Sequence, residues 1–488
     1  MIVGGGLAAW TAAAAFASSL KGMPWSAAVV ELPDLVNIDP VQYTLPQSLD
    51  FFRHVGIDEA ELIRRTAATY RLGSRLIDWH SAGEVCIRAY GKYGADIGFI
   101  PFHHYAVRMR SRGDAFDYAD FSPGAVAARL GRMAGKKRLN RAGPTLDYGL
   151  QLNTDKLAEL LRTNAMLNGV EEIRGQVDAV ELDPVAGRLE SILLADGRRV
   201  TGDLFIDASG GRAILGTALG VEFIDWSHWL PCDRTASISC TDHSVGLPLL
   251  DVSATDEGWL VRSSLQHRNV RQLLYPSACT NDERAADLLV QGLDTATADA
   301  LVIGDSPSGH RRRFWAQNCV AIGSCAGHVE ALEVSGLHLI QSAVLRLLRL
   351  LPSAHFAPRL ADEYNRETTA EYEALRDYVL LHRLAASKRG NGPFSAVQEI
   401  ALPDSLAGLL ELFTSRGRFI AKEFDPLTRD TWVATLLAAG YWPAGYDPLL
   451  DVMNESQLVT HFDAMRVRIE RSATAMPTHA DALAGSGG

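Results

Sequence analysis

Gly4, Gly6 and Ala9 stand in a Gly-x-Gly-x-x-Ala arrangement directly after the apolar Met1-Ile-Val3. The first glycine permits a tight turn, the second lets a backbone approach a pyrophosphate, and the small third residue lets a helix pack closely on a strand. The apolar stretch Ala27-Ala-Val-Val30 ends in Glu31, 27 residues after Gly4. An acid at that place accepts the ribose hydroxyls of an adenine dinucleotide. The same residues also suit a ligand-free turn, and only three residues precede Gly4, short for a central strand. A second group, Glu330 and Glu333, lies three apart, so both carboxylates can share one helical face. Such a pair also suits a helix N-terminus ahead of Leu337–Leu350. Arg71, in Thr69-Tyr-Arg-Leu-Gly73, offers a permanently charged planar fork, fit for an anion or for an ion pair with an acid such as Asp78.

The elements that must position these residues follow from pattern. The alanine-rich run Trp10 to Leu20 reads as the helix behind the glycine turn, its free N–H groups directed at phosphate oxygens. Residues 175–199 alternate apolar and polar, with turn signals at Asp183-Pro184 and Asp196-Gly197, and predict an antiparallel hairpin. Leu204-Phe-Ile-Asp-Ala-Ser-Gly210 predicts a buried strand leading to a glycine turn. Asp207 there serves as a cofactor contact or as a turn and capping residue; the sequence leaves both open. Lys156 to Asn168 carries core leucines, the 337–351 helix stops at Pro352, and 358–488 reads as helical. Residues 108–124 predict a loop, over a pocket or plainly at the surface.

Composition narrows the classes. The chain has 488 residues, 47% hydrophobic and 22% charged, which excludes pervasive disorder. A net charge of −11 without a basic block disfavours nucleic acid, and no apolar run reaches the roughly 18 residues of a membrane span. Six scattered cysteines without a CxxC pair read as free thiols, so neither a disulfide framework nor a metal site is expected. No charged leader precedes the first motif. A cytoplasmic protein is the expectation.

Segments further along together resemble the flavin-dependent tryptophan halogenase family. They include Ala68-Thr-Tyr-Arg-Leu-Gly73 with Asp78-Trp79, Leu204-Phe-Ile-Asp-Ala-Ser-Gly-Gly211, and Asp225-Trp-Ser227. Gly258-Trp259, Val320-Ala-Ile-Gly323, Ala326-Gly327, Glu330-Ala-Leu-Glu333 and Ser335-Gly-Leu-His338 continue the order, which reaches Ala439-Gly-Tyr-Trp-Pro443. The resemblance implies an α/β fold: an FAD-binding, Rossmann-like domain of the flavin monooxygenase type, with an inserted β-sheet substrate module and a C-terminal helical region. We divide the chain into a discontinuous FAD domain (1–110, 150–230 and 295–345), substrate-side insertions (111–149 and 231–294) and a helical region (346–488). The resemblance also implies FAD, reduced by a separate flavin reductase, a flavin hydroperoxide that oxidises chloride or bromide, and an indole, other aromatic or amino-acid-derived small-molecule substrate. It puts Gly4, Gly6, Ala9, Glu31, Asp207, Gly323 and Gly327 at the cofactor, and Glu333 in the place of the family's active-site glutamate. Oligomeric state is left open, with a homodimer as one option.

Four departures from the family pattern bear on the reaction. Arg71 replaces the catalytic lysine and cannot supply a neutral nitrogen, so it would hold the halogenating agent by hydrogen bonds or bind a substrate anion. In Gly258-Trp-Leu-Val-Arg-Ser-Ser264, Trp259 is kept while Val261, Ser263 and Ser264 replace larger apolar residues of the wall between flavin and substrate. The wall is therefore expected to be wider or wetter. The flavin strap at 37–46 carries Asp39, Gln42 and Tyr43, with Tyr43 able to plug the flavin niche. His328 stands where an apolar aromatic is usual. Strict tryptophan chlorination is thus in question, and hydroxylation on the same fold or a non-catalytic member are the alternatives.

Overall fold

The computed structural model describes residues 1–33, 37–134, 146–241, 245–293, 299–352, 357–390, 392–395 and 400–485. Its first sheet has six strands in the order Trp315–Ala316, Cys319–Ala321, Phe205–Ala208, Ile2–Gly4, Ala28–Glu31 and Glu171–Arg174. All neighbours are parallel except the short edge pair. A parallel sheet needs helices on its faces, and its central strands Ile2–Gly4 and Phe205–Ala208 are correspondingly buried, while the edge strand Glu171–Arg174 is polar and partly exposed. The first strand is only three residues long, yet Gly4 pairs with both Glu31 and Ala208 at the centre of the sheet.

Helix Gly6–Ser19 fits between the sheet and two other helices because Ala12 to Ala15 present almost no bulk. It packs on Thr154–Leu167 and on Gly336–Arg349. The expected antiparallel unit is present as Val177–Leu182, Leu189–Leu194 and Arg199–Thr201.

A second sheet of seven strands runs 302–305, 234–240, 269–275, 259–264, 250–254, 73–77 and 85–89 in spatial order. Strands from the first hundred residues therefore complete a sheet built chiefly from 234–305. A three-stranded sheet joins Val41–Tyr43, Gly149–Asn153 and Thr69–Arg71, and so ties the strap to Arg71. Helix Pro358–Ser387, 30 residues long, lies against Gly336–Arg349 and lines the far side of the site. The region 108–124, expected as a loop, instead holds the end of helix Phe102–Ser111, a 3-10 turn Tyr118–Phe121 and the start of helix Pro123–Arg129. Among the described residues no helix is long and apolar enough to cross a membrane.

Candidate active site

The glycine turn builds one end of the site. Gly4 has φ +146°, and a Cβ there would stand 2.1 Å from the carbonyl oxygen of Ala208, so only glycine allows these strands to meet. Gly6, at φ +61°, has open space where a Cβ would go. The helix behind it has no side-chain cap and no acid in its first turn, so its leading N–H groups are left for a ligand. Gly5, Gly6, Leu7 and Ala8 border a cleft of ≈ 200 Å³. These features fit the diphosphate of a dinucleotide. Ala9 is buried one step behind, as its packing role requires.

Glu31 ends the neighbouring strand, beside Gly4 in register. Its Oε1 accepts from Trp10 Nε1 at 3.4 Å, and burial with the nearby Glu172 raises its pKa. Asp207 does not border the cleft. Its two oxygens accept from the amides of Ser209, Leu215 and Gly216, from Ser209 Oγ at 2.6 Å and from Cys325 Sγ at 3.1 Å. Every acceptor site is used, so of the two roles left open by the sequence the turn role is the one its contacts serve. Ala208 and Gly210 on either side reach the cleft in its stead.

The cleft continues past Gly323, Gly327 and His328 to Glu330, Glu333 and Tyr378. Gly327 is needed because a Cβ would lie 2.4 Å from the carbonyl of Gly309. His328 is buried at Nε2 without a partner, and burial lowers it to about 4, so it is a neutral imidazole near pH 7. Asp39 also faces the cleft; burial raises it to about 6, against one hydrogen bond from Gln272 Nε2 at 3.1 Å.

Strand alternation decides the strap. Gln42 points to the cleft and its Oε1 accepts from the Leu337 amide at 3.0 Å. Tyr43 points the other way, its hydroxyl donating to the Ala331 carbonyl. Tyr43 therefore does not plug the niche, contrary to the expectation from its bulk.

Glu333 is the most heavily held carboxylate of the site. Arg88 Nε donates to Oε1 at 2.8 Å and Oε2 at 2.9 Å, with Nη2 also on Oε1. Tyr378 Oη donates to Oε2 at 2.6 Å, and His382 Nε2 lies 3.2 Å from it. Burial opposes ionisation, but Arg88 and His382 outweigh it and hold Glu333 well below the usual carboxylate range. Glu330 behaves oppositely. It accepts from the Cys232 amide at 3.1 Å and from Trp259 Nε1 at 3.0 Å, and burial raises its pKa against the opposing pull of Arg383. The two carboxylates left equivalent by their spacing are thus shifted in opposite directions.

Arg71 is fully buried and absent from the cleft wall. Its Nε donates to the Gly73 carbonyl at 3.2 Å, Nη1 to the Glu333 carbonyl at 2.9 Å and Nη2 to Ser74 Oγ at 2.9 Å. Its guanidinium lies 4.9 Å from the Tyr43 ring centre and 5.3 Å from that of Tyr90. It is not paired with Asp78, which instead receives the Gly83 amide. The other wall residues part company. Trp259 stacks on Phe394 at 4.2 Å, and Val261 is buried in the core away from the cleft. Ser263 and Ser264 border a separate cleft beside Arg75, Arg262 and Arg271. Their small size does not widen the passage at Glu333, as the sequence had led us to expect.

Reading the sequence alone missed Arg88, Tyr378, His382 and Arg383. Tyr378 and His382 are four apart on one helix, a spacing that signals a shared face; nothing in the sequence marks Arg88.

With this geometry in view, comparisons with known proteins are specific. The sequence profile of the tryptophan halogenase family matches residues 1–455. The tryptophan 7-halogenase RebH of Lentzea aerocolonigenes is 29% identical over 437 residues, covering 85% of this chain and 81% of that protein. The tryptophan 7-halogenase KtzQ of Kutzneria sp. is 27% identical over 516 residues, covering 98% and 96%. The structure of BrvH, a flavin-dependent halogenase from Brevundimonas sp. BAL3, superposes with a TM-score of 0.93 at 33% identity, covering 99% of this chain and 98% of that one.

Proposed function

The chain belongs to the tryptophan halogenase family, and from that premise we propose that it halogenates an aromatic small molecule with FAD reduced by a separate flavin reductase. The observation that carries this reading is the single cleft running from the glycine turn at Gly5 and Gly6 to the Glu333 carboxylate. The amides of helix Gly6–Ser19 would hold the diphosphate, and Gly323, Gly327 and His328 would border the ring system; Glu31, outside the cleft lining at the end of the strand beside Gly4, would reach the ribose. Bound there, reduced FAD would supply the electrons that activate dioxygen, the oxidant needed to turn halide, chloride or bromide, into an electrophile.

Glu333 then faces the substrate ring. A carboxylate held ionised by Arg88 stabilises positive charge developing on an attacked ring. It is a poor proton acceptor for the same reason. The imidazole of His382, its pKa lowered by burial, lies 3.2 Å from Oε2 and helps to hold Glu333 in place. Arg71 acts through others: it fixes the Glu333 main chain and closes the region between Tyr43 and Tyr90. Hydroxylation gains no support, because Val261, Ser263 and Ser264 do not open the cleft.

Incubation of the protein with FAD, a flavin reductase, a nicotinamide reductant, bromide and a panel of indoles and phenols tests the reading. A product heavier by one bromine in place of hydrogen is expected. Oxygen incorporation alone, or no product despite bound FAD, contradicts it.

A further inference from the structure

We propose that His328 anchors the flavin ring through a hydrogen bond at Nε2, in a place where the family pattern carries an apolar aromatic. The inference rests on the FAD reading above and names the residue of that cleft that recognises the ring by polarity rather than by packing.

The backbone fixes where this side chain stands. His328 follows Gly327 on a two-residue strand that pairs with Gly309–Arg311, His328 opposite Gly309 and Gly327 opposite His310. Strand Phe223–Asp225 closes the other edge of this small sheet. Both glycines mark close approach of neighbouring backbones. A Cβ on Gly309 would stand 2.2 Å from the Ile224 carbonyl oxygen, and one on Gly327 would stand 2.4 Å from that of Gly309. The imidazole is thus presented from a tightly packed sheet edge, and it lines the cleft with Gly323 and Gly327.

Its hydrogen-bonding capacity is unspent. Nε2 is shut off from solvent and has no hydrogen-bond partner. Other buried side-chain nitrogens and oxygens among the described residues share that state, yet none of them belongs to a residue lining this cleft. By contrast Gln42 is engaged with the Leu337 amide, Asp39 with Gln272, Glu330 with Trp259, and Glu333 with Tyr378. A buried nitrogen left unpaired is costly, and a ligand atom within hydrogen-bond distance recovers that cost. Burial lowers the ring to about 4, so near pH 7 it is neutral and offers one donor and one acceptor. The heterocyclic half of an isoalloxazine carries ring nitrogens and carbonyls that answer either role. A phenylalanine at 328 could only pack against it.

Fluorescence titration of the cofactor-free protein with oxidised FAD tests the proposal without turnover, using the unaltered chain, His328→Phe and His328→Gln. Phenylalanine keeps the planar bulk and removes the hydrogen bond; glutamine removes the ring and keeps a donor and an acceptor. FAD affinity should fall about 5- to 30-fold in His328→Phe, the span of one hydrogen bond to a buried group, and recover in part in His328→Gln. The visible absorption band of bound FAD should shift in His328→Phe and return toward its original position in His328→Gln. Melting temperatures of the ligand-free proteins establish that each is folded, with His328→Leu as the second apolar replacement. Equal or tighter binding by the folded apolar variants, with an unaltered band, overturns the proposal and leaves the cofactor reading standing. Failure of the unaltered chain to bind FAD overturns both. A full dependence on His328 in protein that brominates nothing supports the anchor and counts against halogenation alone.

Discussion

Arg88 grips Glu333 through Nε at 2.8 and 2.9 Å from its two oxygens, and both side chains are at most 2% exposed. The partners lie 245 residues apart in sequence, one on strand Val85–Ala89 and the other just before helix Gly336–Arg349. Removing one partner of such a buried pair leaves the other charge stranded. Arg88→Gln should therefore destabilise the fold by about 3–5 kcal/mol. Denaturant unfolding of the variant measures this, and a change below about 1 kcal/mol would show the pair to be more hydrated than the structure places it.

Arg71→Lys should not raise halogenation. Lysine cannot reproduce three donors in fixed directions, and the carbonyls of Gly73 and Glu333 with Ser74 Oγ would lose their partners. A loss of about 1–3 kcal/mol in stability, with bromination equal or lower, is expected. Thermal melts and initial rates check both halves. A higher rate would mean that the residue meets the electrophile directly.

The two glycines of the first turn should respond differently. Gly4→Ala puts a methyl group 2.1 Å from a carbonyl oxygen of the adjacent strand, so soluble folded protein should be lost. Gly6→Ala meets nothing within 4 Å and carries the left-handed strain of φ +61°, of order 1–2 kcal/mol. It should fold yet bind FAD more weakly, because the methyl group enters the cleft. Fluorescence titration of FAD decides, and unchanged affinity would place the diphosphate elsewhere.

Asp39 should make stability depend on acidity in a stated direction. Burial raises it from 3.8 to about 6, so the folded state holds its proton more tightly than the unfolded chain. Its contribution is present in full below about pH 4 and is lost as pH rises through about 6. Between these limits Asp39→Asn should flatten the decline in melting temperature without cofactor. Parallel pH series on the two proteins test it; superimposable curves would show Asp39 to be freely hydrated.

The glycine positions of the cleft were legible because backbone constraints leave few residue choices. Gly4, Gly6, Gly323 and Gly327 stand where side chains would collide or block, and a strand ending in Glu31 carries its own periodicity. Toward the far end of the cleft the sequence had singled out His328, Glu330 and Glu333. Arg88 on a strand looks like an ordinary exposed charge until its distant partner is known, and buried ion pairs leave no local pattern. The wall reading of Val261, Ser263 and Ser264 came from matching positions to the family pattern, which does not show that Ser263 and Ser264 border a separate cleft. Period-two alternation sends Gln42 rather than Tyr43 into the cleft, a choice that depends on where the strand pairs with Gly149–Asn153.

Glu333→Gln, titrated with FAD and assayed for bromination of the best aromatic substrate, bears most directly on the proposed passage of an electrophile from cofactor to carboxylate. FAD affinity should be preserved while bromination falls by about 100-fold or more, as expected when a charge-stabilising group is neutralised. Bromination at the original rate with FAD bound would contradict the assignment of Glu333 and the connected site with it.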